Sequence, residues 1–397
     1  MRIAILREHG LSAGLAGNGE RRVPIVPDSV KRFAQKKIDI VVEAGAGAAA
    51  FFNDADYVRE GAVIEADAAA AIAATDALLR LRIPTVAEVA AMKEGMTLFA
   101  PLLPLLSHEL VKALAARNVT SFAVDFIPRT TIAQMMDVLS SQAAAAGYGA
   151  VVLAAGALPR FFPMLITAAG TIAPASLLVL GAGVAGLSAI GTARRLGARV
   201  EAFDVRKVAK EQVESLGARF VEVDSDEDAQ AAGGYAKEVT DDYKRKQAEL
   251  LARHVAKADV IICTALIPGK RAPVLVTDEM LKTMKPGSIV VDLAAEQGGN
   301  CEGCQAGQTV VKHGVSIVGA VDLPSNLAVH ASQMWSRNME KLLFHLTKDG
   351  QLKLDLKDEI TRGCLITHGG AVVQERVREA LGLKALAPAR ASGESAA

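Results

Sequence analysis

The sequence predicts an α/β protein built of two Rossmann-like, doubly wound parallel-sheet domains joined by crossing helices. Three observations carry that expectation. Strand-like and helix-like patterns alternate along almost the whole chain, as in a parallel sheet covered by helices. A complete G-x-G-x-x-G stands between two strand patterns within residues 177–206. Near the middle, Pro128 breaks the alternation and a long small-residue helix pattern follows, as a helix passing between domains would need.

Bulk properties bound the answer. A chain of 397 residues, 51% hydrophobic, suits two or three domains with sizeable cores. Its formal net charge of zero gives no electrostatic case for nucleic acid. Four cysteines in this length suggest a reducing compartment. Residues 1–10 mix charges with apolar residues and read as a first strand, not a signal peptide. No charge occurs between Arg160 and Arg194, but Pro163, Gly170, Pro174 and the glycine turn interrupt that run. Buried parallel strands explain it better than a membrane span.

In chain order, residues 2–7 predict a strand, 20–24 a loop, 28–37 a helix and 39–43 a second strand. Further strands are expected at 76–82, 96–100 and 119–125. This half has no complete glycine fingerprint, so it reads as a Rossmann-like domain with no requirement for nucleotide. A helix is expected from Thr130, with Ile132, Met135, Met136 and Leu139 as an apolar stripe and Gln134, Asp137 and Ser141 on a polar one. Arg129 stands just ahead of its first turn. The lesser alternative for the polar stripe is a solvated face with an Arg129–Asp137 ion pair.

The fingerprint itself begins with apolar residues 177–180. Gly181 permits a tight turn, Gly183 lets backbone approach a pyrophosphate, and Gly186 lets the following helix lie close on the strand. The helix at 184–196 would offer its N-terminal N–H groups to phosphates, with Gly197 capping its far end. A strand at 199–203 ends in Asp204, placed to accept hydrogen bonds from an adenosine ribose. That acid favours NAD over NADP, although Arg206 nearby could accept a 2′-phosphate. Beyond it come a helix at 209–216, a strand at 219–223 and an acidic irregular stretch over 224–242 holding Gly233, Gly234 and Tyr235. A glycine-hinged lid and a solvated insertion fit that stretch equally. Strands resume at 259–264, 288–293 and 316–320, and a return helix spans 325–346. The expected division is therefore 1–128 with 348–397, and 129–347, with a disordered tail after about residue 384.

Cys301 and Cys304 form a C-x-x-C, but no second pair stands at zinc spacing, so no metal is expected. The histidines, His108 and His330 among them, lie outside any recognisable nucleophile motif.

Residues 20–24 (ERRVP), the fingerprint, residues 264–270 (TALIPGK) and 284–300 (MKPGSIVVDLAAEQGGN) together resemble the alanine dehydrogenase and transhydrogenase superfamily. Within it, Pro128-Arg129 with residues 133–142 (AQMMDVLSSQ) resembles the NAD(H)-binding components of proton-translocating transhydrogenases, as do residues 232–238 and 310–315. Alanine dehydrogenases carry a substrate-binding lysine and a catalytic histidine that this chain lacks. The matching strand offers Arg80 and Arg82, residues 97–106 hold no histidine, and Glu296 replaces an aspartate.

The transhydrogenase resemblance implies a homodimer binding NAD(H). It would sit peripherally on the cytoplasmic face of the cell membrane, beside an NADP(H)-binding component and membrane-spanning subunits on separate polypeptides. Hydride would pass directly between the two nicotinamides, coupled to proton movement. The resemblance places Arg129, Gln134, Asp137 and Ser140 around the nicotinamide. It assigns Val184, Asp204, Val205, Arg206, Gly234, Gln247 and Leu266 to the rest of NAD, and a mobile loop to residues 233–235. The alternatives are a free-standing NAD-dependent alanine-type dehydrogenase and a non-catalytic NAD-binding regulator.

Overall fold

Alternate residues of the central strands enter different cores, so both faces of each sheet are covered. The computed structural model describes residues 1–8, 19–223, 240–267 and 270–384. In β1 (Arg2–Ile5), Ile3 and Ile5 join one apolar cluster and Ala4 another. β1 is the centre of the first sheet, with β2 (Asp39–Glu43), β3 (Val63–Glu65), β4 (Ala77–Leu79), β5 (Thr97–Ala100) and β6 (Thr120–Ala123). Every pairing among these six is parallel.

A small antiparallel hairpin follows, β7 (Leu165–Thr167) with β8 (Gly170–Ile172). The second sheet comprises β9 (Ser176–Leu180), β10 (Arg199–Phe203), β11 (Arg219–Val221), β12 (Val260–Cys263), β13 (Ile289–Asp292), β14 (Thr309–Lys312) and β15 (Val315–Gly319). All its pairings are parallel except β14 with β15, an edge strand that the periodicity did not announce. After a two-stranded turn, β16 (Thr347–Lys348) with β17 (Gln351–Leu352), the chain returns to the first sheet. There β18 (Leu365–His368) lies antiparallel on β6, and β19 (Ala371–Val372) closes the edge. The parallel strands of both sheets thus follow one order: third, second, first, fourth, fifth, sixth.

Two long helices cross between the sheets. The helix Val138–Ala157 starts among first-sheet residues through Val138 and ends in the second core through Ala150, Val151 and Ala154. The return helix Ala328–Leu346 sends Trp335, Met339, Leu342, Leu343 and Leu346 onto the first sheet beside Ile3, Leu79 and Phe99. Each such burial stabilises by about 1.5–3 kcal/mol before ordering costs. By length and composition Val138–Ala157 could cross a membrane. Here Gly147 packs against the backbone of Ala185, where an added Cβ would lie 2.0 Å from a carbonyl oxygen.

Several expectations need correction. The helix expected from Thr130 is two elements: a 3-10 turn at Ala133–Met136 and the α-helix from Val138, separated by Asp137 in extended conformation. The apolar stripe is therefore broken. Met136 is buried with Ala133, while Ile132, Met135 and Leu139 are exposed at 67%, 60% and 47%. The irregular stretch ends earlier than expected, because Thr240 caps a helix at Asp241–Val255. Gly233, Gly234 and Tyr235 lie outside the described residues, as does the tail beyond residue 384.

Candidate functional site

The strand registers set the site. Leu180 pairs with Phe203 on one side and Cys263 on the other, and Cys263 pairs with Asp292. The residues that follow, Gly181, Asp204, Thr264 and Leu293, therefore stand level at the C-terminal edge, where open α/β sheets bind ligands.

The three glycines differ in what surrounds them. Gly181 has φ +97°, and a Cβ there would meet Thr264 Oγ1 at 2.7 Å. At Gly186 a Cβ would lie 1.9 Å from the Gly181 carbonyl oxygen. At Gly183 a Cβ would meet nothing within 4 Å. Gly181 and Gly186 are thus demanded by packing, whereas Gly183 faces open space that a phosphate can enter. Val184 opens the helix Val184–Arg195 there and is 44% exposed. Gly197, with φ +88°, follows its C-terminus as expected.

Asp204 organises the C-terminal end of β10. Its carboxylate accepts from Ala182 N at 2.7 Å, so it fastens the glycine turn. It also accepts from Arg206 N and Nε, both at 2.9 Å, and from Nη2 at 2.7 Å. That hydrogen bonding holds the Arg206 guanidinium above its ordinary pKa, against its burial. Arg206 is thereby turned toward Asp204 instead of being held out for a 2′-phosphate. A pocket beside them is lined by Asp204, Val205, Phe220, Val223 and Tyr243. Gln247 lies one turn after Tyr243 on the same helix. On the other flank of β9, Leu266 is 36% exposed. These surroundings fit a dinucleotide: a cradle at Gly183, a helix N-terminus and a ribose-side carboxylate.

On the crossing segment, Asp137 and Ser140 are brought together. Asp137 caps the helix Val138–Ala157, accepting from Ser140 N at 2.9 Å and from Ser140 Oγ at 2.6 Å. Gln134 and Arg129 precede this cap with exposed side chains. Gly147, seven residues beyond Ser140, touches the glycine-turn helix, so Ser140 stands about 10 Å along the crossing helix from it.

Where an alanine dehydrogenase would hold substrate, this chain binds its own carboxylates. Arg80 pairs with Glu8 at 3.1 Å and Glu88 at 2.8 Å. Arg82 lies 3.0 Å from Glu20 and pairs with Asp322, which follows the second sheet. Glu20 also pairs with Arg22 at 2.6 Å, and Arg22 donates to Gln142 on the crossing helix. All four cysteines are free thiols, and burial pushes Cys304 up to about 12. Sequence reasoning gave no role to Thr264, whose hydroxyl donates to Gly181 O at 2.8 Å. The register of β12 with β9, visible only in the folded sheet, is what brings it there.

Comparison with known proteins agrees with this architecture. The model of the alanine dehydrogenase/PNT N-terminal domain matches residues 16–146, and that of the C-terminal domain matches residues 150–375. An NAD(P) transhydrogenase alpha subunit of Rhodospirillum rubrum is 46% identical over 89% of this chain and 95% of its own. The alanine dehydrogenase of Halomonas elongata is 30% identical over 92% of this chain and 95% of its own. Among solved structures, a transhydrogenase from Sinorhizobium meliloti superposes with TM-score 0.80 at 42% identity, covering 95% of this chain and all of that one. An L-alanine dehydrogenase shares the fold, with TM-score 0.79 at 24% identity. The chain belongs to the alanine dehydrogenase/PNT family, and its similarity is greater to the transhydrogenase alpha subunits than to the alanine dehydrogenases.

Proposed function

We propose that the chain is the NAD(H)-binding subunit of a proton-translocating transhydrogenase, passing hydride directly to or from NADP(H) held by a partner component. The observation that carries the reading is the row of Gly181, Asp204 and Thr264 at the strand ends, with Asp137 and Ser140 at the capped start of the crossing helix that packs on the glycine-turn helix at Gly147. NAD(H), when bound, supplies the nicotinamide carbon that gives or takes hydride. The glycine turn and helix N-terminus receive the pyrophosphate, and Asp204 receives the adenosine ribose. Gln247, Val205 and Leu266 complete the enclosure; the family resemblance adds Gly234 and Tyr235, which lie outside the described residues. Arg129 and Gln134 orient the carboxamide, with Asp137 and Ser140 setting the start of the helix beside it. Direct transfer needs alignment of two rings, not a nucleophile, so the absence of an assigned acid–base dyad fits it. The internally paired Arg80 and Arg82 disfavour an amino-acid dehydrogenase.

The division into residues 1–128 with 348–397, and 129–347, belongs to this reading, as does a peripheral place on the inner membrane face through partner subunits. The homodimer does too. The β7–β8 hairpin is too short to be stable alone, yet Ile166 is 77% exposed and Ile172 47%, beside exposed Phe161 and Met164. Replacing Ile166 and Ile172 together by Asp should convert a dimer to a monomer in light scattering at micromolar concentration. An unchanged mass would remove the hairpin from the interface.

Stopped-flow mixing tests the activity. The chain loaded with an NAD analogue should oxidise NADPH rapidly only when the NADP(H)-binding component is present. Turnover of NADH with pyruvate and ammonia by the chain alone would establish a dehydrogenase instead. Gln134→Asn should slow hydride transfer by on the order of tenfold or more, with NADH affinity within about twofold. Parallel losses in both would deny Gln134 its orienting role.

A further inference from the structure

Asn300 is fully buried, and its side-chain carboxamide hydrogen-bonds only to backbone groups. Its side-chain carbonyl accepts from Ala265 N at 3.0 Å. Its amide donates to Ala265 O and to Pro273 O, both at 2.8 Å. Its own N–H donates to Asp292 at 2.7 Å, and its carbonyl accepts from Leu275 and Val276. Asp292, also fully buried, holds the turn that presents Asn300 by accepting from Ala294 N and Cys301 N, each at 2.9 Å.

The position gives this arrangement its meaning. The β12–β13 ladder ends at the pair Cys263 and Asp292. At Ala265, two residues further along, the Asn300 carboxamide takes over as a neighbouring strand would, bonding both N–H and C=O of one residue. Ala265 sits between Thr264, which fastens the glycine turn, and Leu266, which is 36% exposed and which the proposed reading assigns to the nucleotide. β10 and β12 flank β9 on opposite sides, so a dinucleotide seated with its adenosine ribose at Asp204 would extend its other half across β9 toward residues 264–267.

We propose that Asn300 is a positioning residue for the nicotinamide half of the nucleotide, its carboxamide fixing Ala265 so that Leu266 closes the site opposite Asp204. The proposal rests on the dinucleotide reading above and deepens it.

The test titrates NADH and 5′-AMP into the wild-type chain and into Asn300→Ser and Asn300→Asp. The Asp variant keeps volume and one acceptor while losing both donated bonds. NADH should bind about tenfold more weakly to either variant, the effect of losing two modest hydrogen bonds. Binding of 5′-AMP, which reaches only the adenosine half, should stay within about twofold of wild type. Equal weakening of both ligands would overturn the proposal, because general damage to the site acts on both halves. Unchanged NADH affinity would overturn it too. Should neither variant fold, hydrogen exchange on the wild-type chain decides. The Ala265 amide should be protected like those of β12, and exchange at the rate of an open loop would exclude the clamp. A wild-type chain that binds 5′-AMP and not NADH would overturn the dinucleotide reading itself.

Discussion

Gly186→Ala should lower NADH affinity by on the order of a hundredfold and reduce the melting temperature as well. The added methyl would lie 1.9 Å from the carbonyl oxygen of Gly181. That oxygen cannot simply retreat. It accepts the Thr264 hydroxyl, and Gly181 is held at φ +97° against Thr264 and Ala265. The helix must therefore move off the strand, dragging with it the N-terminal N–H groups proposed to receive the phosphates. A several-kcal/mol disturbance of this kind falls in the rare upper range for a single substitution. Gly183→Ala is the informative contrast. Its methyl meets no protein atom within 4 Å, so melting should be unchanged while affinity falls because the phosphate is obstructed. Calorimetric titration and thermal melting on both variants check the pair. Wild-type affinity in Gly186→Ala would show that the turn relaxes without cost.

Arg82→Ala should destabilise the chain by about 3 kcal/mol or more, the usual result of leaving a buried carboxylate without its partner. The Asp322 side chain is 7% exposed and that of Glu20 is fully buried. Asp322 also has φ +54°, a conformation its surroundings must hold in place. Glu20 keeps Arg22 but loses the charge of Arg82, while Asp322 loses its ion-pair partner. The pH dependence has a definite sign. Burial alone would raise the Glu20 pKa, but hydrogen bonds and charge from Arg22, with the charge of Arg82, bring it below the ordinary 4.5. Its contribution is therefore complete above that value and is lost as pH falls through the lower folded-state value. The gap between wild type and Arg82→Ala in denaturant titration should be widest near neutral pH and should narrow below about pH 4.5. A gap that grows in acid would exclude this account.

The parallel sheets were legible because their strands are apolar on both faces. Residues 39–43 and 199–203 were bounded as the structure has them, and Asp204 and the three glycines sit where the fingerprint requires. Residues 130–137 were not legible. The 3.6-residue period of Ile132, Met135, Met136 and Leu139 is real in the sequence, yet Asp137 turns its backbone out of the helix to cap the next one. Local capping chemistry outweighed periodicity. The helix Asp241–Val255 was hidden by its charge, since only Tyr243, Leu251 and Val255 of its residues are buried. Of the site, the glycines and the acid proposed to receive phosphate and ribose follow a spacing rule. Thr264 and Asn300 act through backbone carbonyls and amides brought close by strand register, which no spacing along the chain reveals.

The closure of the first sheet by β18 and β19 bears on how the chain matures during synthesis. Residues 176–319 carry every strand of the second sheet, so that unit can consolidate as soon as it leaves the ribosome. The first sheet cannot. Its β6 flank waits for residues 365–372, more than 240 positions downstream by the pairing of Ser121 with Thr367. Until then β6 presents an unpaired edge to solvent, the kind of surface that invites misassembly. The amino-terminal half should therefore be the last to become protease-resistant, even though it is made first.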